Sequence, residues 1–253
     1  MSLLSLNNLL KTFGGLVAVA GVSFDVDEHS IVGLIGPNGA GKTTVFNIIT
    51  GNYRPDSGDV IFDRKSITGL PTHEIVRIGI ARTFQNIRLF QSMSLLENVL
   101  AGCHCRMRAG LFSSMFRTPA QRREEARAVE RAMRELAFVG LDTQYNGLAG
   151  NLSYGNQRLL EIARALASDP RFLILDEPAG GMNDQETADL MGLIHAIRAR
   201  GITVLLIEHD MNLVMRVCTK LVVLEYGAVI AEGTPEEIKK NPQVIEAYLG
   251  AEE

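Results

Sequence analysis

The chain has 253 residues, of which 46% are hydrophobic and 21% charged, and its formal net charge is −4. This composition is typical of a globular protein with a sizeable core, and the negative charge argues against nucleic acid as the main partner. No apolar run approaches the roughly 20 residues that span a bilayer, and the first residues lack the basic start of a signal peptide. We therefore expect a cytosolic chain whose three cysteines stay reduced.

The first part of the chain is predicted to form β-strands. Residues 3–33 alternate in the manner of strands, with Gly14-Gly15 as the tip of a hairpin. A helix is predicted after residue 41, followed by a turn at 54–58, a strand at 59–62 and a helix at 72–79. Residues 95–168 show helical periodicity, which predicts a helical subdomain inserted in the core, with a linker at 110–118.

Strands and helices alternate in the last part of the chain. Strands are predicted at residues 172–175, 203–207, 221–224 and 229–231, and helices at 184–199 and 211–217. Thr234, Pro235 and Glu237 are the N-cap, first and third residues of a further helix. This alternation predicts an α/β fold, in which a phosphate-binding loop lies at the carboxyl ends of strands.

A glycine-rich loop stands between an apolar run and a helix-like run at residues 36–43, Gly-Pro-Asn-Gly-Ala-Gly-Lys-Thr. This Walker A pattern also occurs by chance, but the strand-loop-helix context favours a loop whose N–H groups surround a polyphosphate. Lys42 is predicted to reach the β- and γ-phosphates, and the Thr43 hydroxyl to bind Mg²⁺. The predicted nucleotide contacts are Gly36, Pro37, Asn38, Gly39, Ala40, Gly41, Lys42, Thr43 and Thr44.

Polar side chains follow two predicted buried strands. Asp176 is predicted to hold Mg²⁺, and Glu177 to orient or deprotonate the water that attacks the γ-phosphate. His209 is predicted to contact the γ-phosphate, and Gln85 to reach both the metal and the water. The alternatives are an ordinary loop before Pro178 and a surface histidine.

Ser153 is a candidate N-cap for a helix that runs to Ala167, which leaves the amino end of this helix free to face an anion. A plain cap and turn is the alternative. The segment 152–157 reads Leu-Ser-Tyr-Gly-Asn-Gln and is called the signature segment below.

Residues 36–44, Gln85, the signature segment, residues 172–177 and His209 resemble, in this order and spacing, the ATP-binding subunits of ABC transporters. The resemblance covers essentially the whole chain. It implies an α/β P-loop ATPase core with a mixed or parallel sheet and an antiparallel β subdomain at 1–94 and 166–253. A helical signature subdomain would occupy 95–165, and ATP and Mg²⁺ would be the cofactors.

The same resemblance implies a site shared between two subunits. Ser153 and Gly155 would bind the γ-phosphate of a nucleotide held by the other subunit of a head-to-tail dimer, and Gln157 would also belong to the nucleotide-binding residues. Phe13 matches the aromatic residue that stacks on adenine, with a core aromatic as the alternative. The chain departs from the family pattern at Tyr154, where glycine is commonest, and at Asn183, where aspartate is common. Tyr154 is expected to point outward.

Residues 111–119, 207–215 and 241–250 resemble the branch of the family that imports branched-chain amino acids. This implies a motor subunit on the cytoplasmic face of the membrane, paired with a sister or identical ATPase, two permeases and, indirectly, a periplasmic binding protein. The helical subdomain and residues 86–94 would grip the permease. The alternatives are an amide or urea importer, a lipopolysaccharide-type exporter and a soluble ABC ATPase outside transport. A GTPase fits poorly, because no Asn-Lys-x-Asp motif occurs.

Overall fold

A computed structural model describes residues 1–104 and 119–249. Its first strands, β1 (Ser2–Phe13) and β2 (Leu16–Asp27), form the predicted hairpin around Gly14-Gly15. With β4 (Ser57–Phe62) and β5 (Lys65–Ser66) they make an antiparallel sheet in the order β2-β1-β4-β5. The predicted β-rich start of the chain is confirmed.

The central sheet has six strands in the order β10-β9-β3-β8-β7-β6. These strands are β3 (Ile31–Ile35), β6 (Ile80–Arg82), β7 (Phe172–Asp176), β8 (Thr203–Ile207), β9 (Lys220–Glu225) and β10 (Ala228–Gly233). Five of them are parallel, and β10 pairs antiparallel with β9. Strands β3, β7 and β8 are buried at every position, which explains their continuous apolar sequences.

The described helices fall at or near their predicted positions, except the last (Pro242–Leu249), which the sequence analysis did not predict. They are α1 (Lys42–Ile49), α2 (Thr72–Arg77), α3 (Leu95–Cys103), α4 (Pro119–Phe138), α5 (Tyr154–Leu166), α6 (Asp184–Ala199), α7 (Met211–Val217), α8 (Pro235–Lys239) and α9 (Pro242–Leu249). Helix α2 ends two residues before the predicted end, because Gly79 adopts a φ of +105° that no helix accommodates. The predicted capping box at Thr234 and Glu237 is present.

Side chains of the central sheet pack on both of its faces. Val32 and Leu34 belong to a core shared with the antiparallel sheet and α1. Ile31 and Ile35, on the opposite face, belong to a core shared with α5, α6 and α7. The alternation along β3 therefore joins the two halves of the core, as expected for a central strand.

Helices α3, α4 and α5 share a third apolar cluster. The buried carboxylate of Glu135 in α4 receives two hydrogen bonds, of 2.6 and 2.7 Å, from Arg200 at the end of α6, which ties this helical lobe to the core. The predicted linker at 110–118 lies outside the described residues, and the division at 95 and 165 stays a prediction. In the described part of the chain, every helix is too short or too polar to cross a bilayer.

Candidate nucleotide-binding site

The loop between β3 and α1 has a backbone shape that requires glycine. Gly36 and Gly41 have φ values of +146° and +99°. A Cβ on Gly41 would lie 2.5 Å from the carbonyl oxygen of Ala18, and one on Gly36 would collide with the carbonyl oxygen of Leu224. The loop is therefore a glycine cradle at the amino end of α1, which fits a polyphosphate.

Lys42 is the first residue of α1, and its ammonium group turns back over the loop. Its Nζ donates hydrogen bonds to the carbonyl oxygens of Gly36 (2.6 Å) and Pro37 (2.9 Å). Burial lowers the pKa of Lys42, while the carboxylates of Glu177 and Asp176 oppose this shift. The positive charge thus stands between the loop and the ends of the strands, where phosphate groups would bind.

The three predicted Mg²⁺ ligands line one cleft. Thr43, Gln85 and Asp176 all border a cavity of about 580 Å³ between α1, β6 and β7. A hydroxyl, a carboxamide and a carboxylate offer the oxygen donors that Mg²⁺ prefers. The residues present therefore fit a magnesium-bound nucleotide.

Asp176 has a partner that sequence reasoning missed. Arg82, at the end of β6, donates from Nη2 to its carboxylate at 2.8 Å and from Nη1 to the Asn47 side chain at 2.7 Å. The side chains of Arg82 and Asp176 are only 11% and 6% exposed. Arg82 ends β6, a strand that the sequence analysis did not predict, so no local pattern pointed to this pair.

Glu177 lies just past β7 in an unusual backbone conformation. Its φ is +47°, a left-handed value that is costly for a residue with a side chain. Its N–H donates to the carbonyl oxygen of Ile207 at 3.0 Å, and its carboxylate receives a hydrogen bond of 2.9 Å from Gln85. The structure therefore brings together two of the predicted catalytic residues.

His209 follows β8, and its side chain is 74% exposed, with Nδ1 lying 3.8 Å from the carboxylate of Glu208. The preceding residue, Glu208, is buried, and sequence reasoning gave it no role. Its carboxylate accepts N–H groups from Ala179 (2.8 Å), His209 (3.1 Å) and Asp210 (3.4 Å). Burial raises the pKa of Glu208, and these N–H groups counter that rise. Glu208 thus ties the segment after Glu177 to the segment that carries His209.

The signature segment opens α5. The Ser153 hydroxyl caps the helix by accepting the Asn156 N–H at 3.3 Å, as predicted. Gln157 donates to the Leu152 carbonyl oxygen at 3.1 Å, and Gly155 faces the Glu186 carboxylate, where a Cβ would lie 2.6 Å from an oxygen. Within the described residues, no side-chain hydrogen bond joins this segment to residues 36–44, and Ser153 is exposed.

Phe13 ends β1 with 41% of its surface exposed, so it is not a core aromatic. Its ring meets that of Tyr53 edge-on at 5.2 Å, and Lys11 lies 5.5 Å from its centre. Asp56 holds the strand end in place, because its carboxylate accepts the Thr12 N–H and hydroxyl, both at 2.7 Å, and the Lys11 ammonium at 2.8 Å. An exposed, fixed ring of this kind suits stacking on a base; sequence reasoning missed Tyr53 and Asp56.

Comparison with known proteins places this geometry in a family. The model of the ABC transporter family matches residues 19–180. The chain belongs to the ABC transporter family. A model described as branched-chain amino acid ATP-binding cassette transporter matches residues 228–253.

The cassette is 49% identical over 249 residues to LivG of Salmonella typhimurium, a high-affinity branched-chain amino acid transport ATP-binding protein, with 98% of each chain covered. It is similar to a crystal structure of a nucleotide-free ATP-binding cassette from an ABC transporter (TM-score 0.86, 37% identity, 98% and 99% covered). It is also similar to a dimeric bacterial ABC transporter cassette (TM-score 0.77, 27% identity, 92% and 98% covered). The predicted family, ATPase class and α/β fold are confirmed.

Replacing Arg82 with Met should lower the free energy of unfolding by about 3 kcal/mol, because removing one member of a buried ion pair leaves the other charge uncompensated. Adding Asp176→Asn should restore most of this loss, since that charge is then gone. Urea unfolding measures both effects. Arg77→Met, at an exposed position on α2, is the control. If Arg82→Met were as mild as this control, the ion pair would not be a stabilising contact.

Asp56→Asn should reduce stability at neutral pH but not at acid pH. Hydrogen bonds from Lys11 and Thr12 lower the pKa of Asp56 to about 2. A lowered folded-state pKa stabilises the fold above the unfolded value of about 4, and this contribution disappears as the pH falls toward about 2. Melting temperatures of the two proteins should therefore converge at acid pH. A difference that stays constant with pH would contradict this role of the carboxylate.

Proposed function

We propose that this cassette is the ATP-hydrolysing motor subunit of an importer of branched-chain amino acids. The observation that carries the proposal is the match of residues 228–253 to the branched-chain amino acid cassette model. The relation to LivG over 98% of both chains agrees with it. The cargo is inferred from this branch alone, since a cassette of this kind powers transport without touching the cargo.

In this proposal, the loop at 36–44 surrounds the phosphates of ATP, and Phe13 stacks on the adenine. Lys42, whose Nζ already lies over the loop, neutralises the β- and γ-phosphates. Thr43, Gln85 and Asp176 would hold Mg²⁺, which supplies further neutralisation of phosphate charge when bound. Arg82 fixes the Asp176 carboxylate at the edge of the same cleft.

Glu177 is the proposed general base. Its carboxylate takes the proton of the water that attacks the γ-phosphate, and the hydrogen bond from Gln85 Nε2 orients the carboxylate for this task. His209 contacts the γ-phosphate through its exposed ring. Glu208 holds the backbone of His209 next to the segment after Glu177, because its carboxylate accepts N–H groups from both.

The complete site is proposed to need two chains. Ser153, Gly155 and Gln157 would act on the nucleotide of a sister or identical cassette, in a head-to-tail dimer. The exposure of Ser153 and the likeness to a dimeric cassette support this arrangement. ATP would close the pair, and hydrolysis would reopen it.

We further propose that the chain divides at 1–94 and 166–253, the ATP-binding core, and at 95–165, the helical lobe. The lobe and residues 86–94 would grip one of two permease subunits at the cytoplasmic face of the membrane. A periplasmic binding protein would deliver the cargo to those permeases.

Glu177→Gln should slow ATP hydrolysis by ~10² or more and leave ATP affinity unchanged, because the general base is lost while the amide oxygen still accepts from Gln85. Steady-state turnover and equilibrium nucleotide binding measure the two effects. Glu74→Gln, in the first turn of α2, is the matched control. Unaltered turnover in Glu177→Gln would reject the assignment of the base.

The proposed cargo is tested with the whole transporter, purified from its own membrane with its partners and reconstituted in vesicles. Leucine, isoleucine or valine, added with the binding protein, should stimulate ATP turnover, and the Glu177→Gln complex should not respond. Stimulation by urea or an amide instead would show that the chain serves an importer of those compounds. Stimulation by lipopolysaccharide would make it an exporter.

A further inference from the structure

Charged side chains of α5 hold the backbone of residues 84–88, here called the Gln85 loop. Arg158 is buried and donates to the carbonyl oxygens of Phe84, at 2.6 Å, and of Gln85. Glu161 is also buried and accepts the N–H of Arg88 at 3.3 Å. Arg164 donates to the carbonyl oxygen of Arg88 at 2.5 Å. One helix therefore holds both ends of this loop.

The same guanidinium reaches the signature segment. Nη2 of Arg158, which binds the Gln85 carbonyl oxygen, also donates to the Tyr154 hydroxyl at 3.0 Å. Tyr154 is 46% exposed, and its ring lies against Gly181, where a Cβ would come within 3.0 Å of it. Tyr154 is thus turned toward Arg158 and the segment after Glu177, rather than simply outward as expected from the sequence.

We propose that Tyr154 and Arg158 are positioning residues that make Gln85 follow the amino end of α5. This inference rests on the proposed function, in which Ser153 and Gly155 meet the nucleotide of the partner cassette. Docking of that nucleotide on the signature segment then fixes Tyr154, and Tyr154 fixes Arg158. Arg158 in turn sets the backbone from which Gln85 reaches Glu177.

The link is specific to a tyrosine at this position. A glycine, the commonest residue there in the family, offers neither a hydroxyl to Arg158 nor a ring to Gly181. The ring centre of Tyr154 also lies 5.5 Å from the guanidinium, so the ring and the hydroxyl both hold Arg158. In this chain, the Tyr154 side chain therefore connects the signature segment, which would meet the partner's ATP, with the Gln85 loop, which would meet the chain's own ATP.

Tyr154→Phe tests the hydroxyl and keeps the ring. In the reconstituted transporter, we expect ATP turnover to fall about tenfold, the size of effect that follows from losing one hydrogen bond to a charged group. ATP affinity of the isolated chain should not change, and its melting temperature should fall, because the same hydrogen bond is lost there. Hydrogen exchange in the Gln85 loop should become faster. Tyr145→Phe, a partly exposed tyrosine of the same lobe, is the matched control for all four measurements.

A double-mutant cycle asks whether Tyr154 acts through Gln85. In a Gln85→Ala background, Tyr154→Phe should reduce turnover less than about twofold, because the side chain that it positions is already absent. A full tenfold loss in that background, or wild-type turnover and exchange in Tyr154→Phe alone, would overturn the inference. Glu177→Gln distinguishes a failure of this inference from a failure of the proposed function, because normal turnover in that variant would reject the proposed function instead.

Discussion

Buried charge at the carboxyl edge of the central sheet is the constraint on which the rest of the site depends. Charges removed from water are costly unless each finds a partner. Asp176 meets Arg82, and Glu208 meets three backbone N–H groups. Arg158 meets Glu161 and two carbonyl oxygens. Asp176 and Arg82 lie on different strands, Glu208 reaches the N–H of Ala179, and Arg158 reaches the carbonyl oxygens of Phe84 and Gln85. Satisfying these charges therefore also fixes where the loops lie.

This pairing joins the loops in sets that would move together. Glu208 binds the segment that begins at Ala179 to the one that carries His209. Arg158 binds the Gln85 loop to α5. A hydrogen bond to a charged group is stronger than one between neutral groups. Displacing one of two segments joined in this way would therefore displace the other as well. Residues that would sense a nucleotide are thus connected to the helical lobe by a few polar contacts.

The sequence predicted what is local and missed what is distant. Capping at Ser153 and Thr234 involves residues three positions apart. Buried strands such as β8 are continuous apolar runs. Both patterns can therefore be recognised in the sequence. Arg82 and Asp176 are 94 residues apart, and Arg158 and Phe84 are 74 apart. No periodicity reports such pairs, because they come together only when distant strands, loops and helices pack in the fold. The site residues were therefore predictable as a set, and their partners were not.

The two departures from the family pattern, Tyr154 and Asn183, both border the contact between the signature segment and residues 181–186. Asn183 caps α6 as well as an aspartate would, since either side chain accepts the Glu186 N–H. Glu186 accepts the Asn183 N–H with one carboxylate oxygen, and its other oxygen leaves no space for a Cβ on Gly155. Tyr154 lies against Gly181 a few residues away. The signature segment thus packs on residues 181–186 of its own chain, so a change on either side must suit the other.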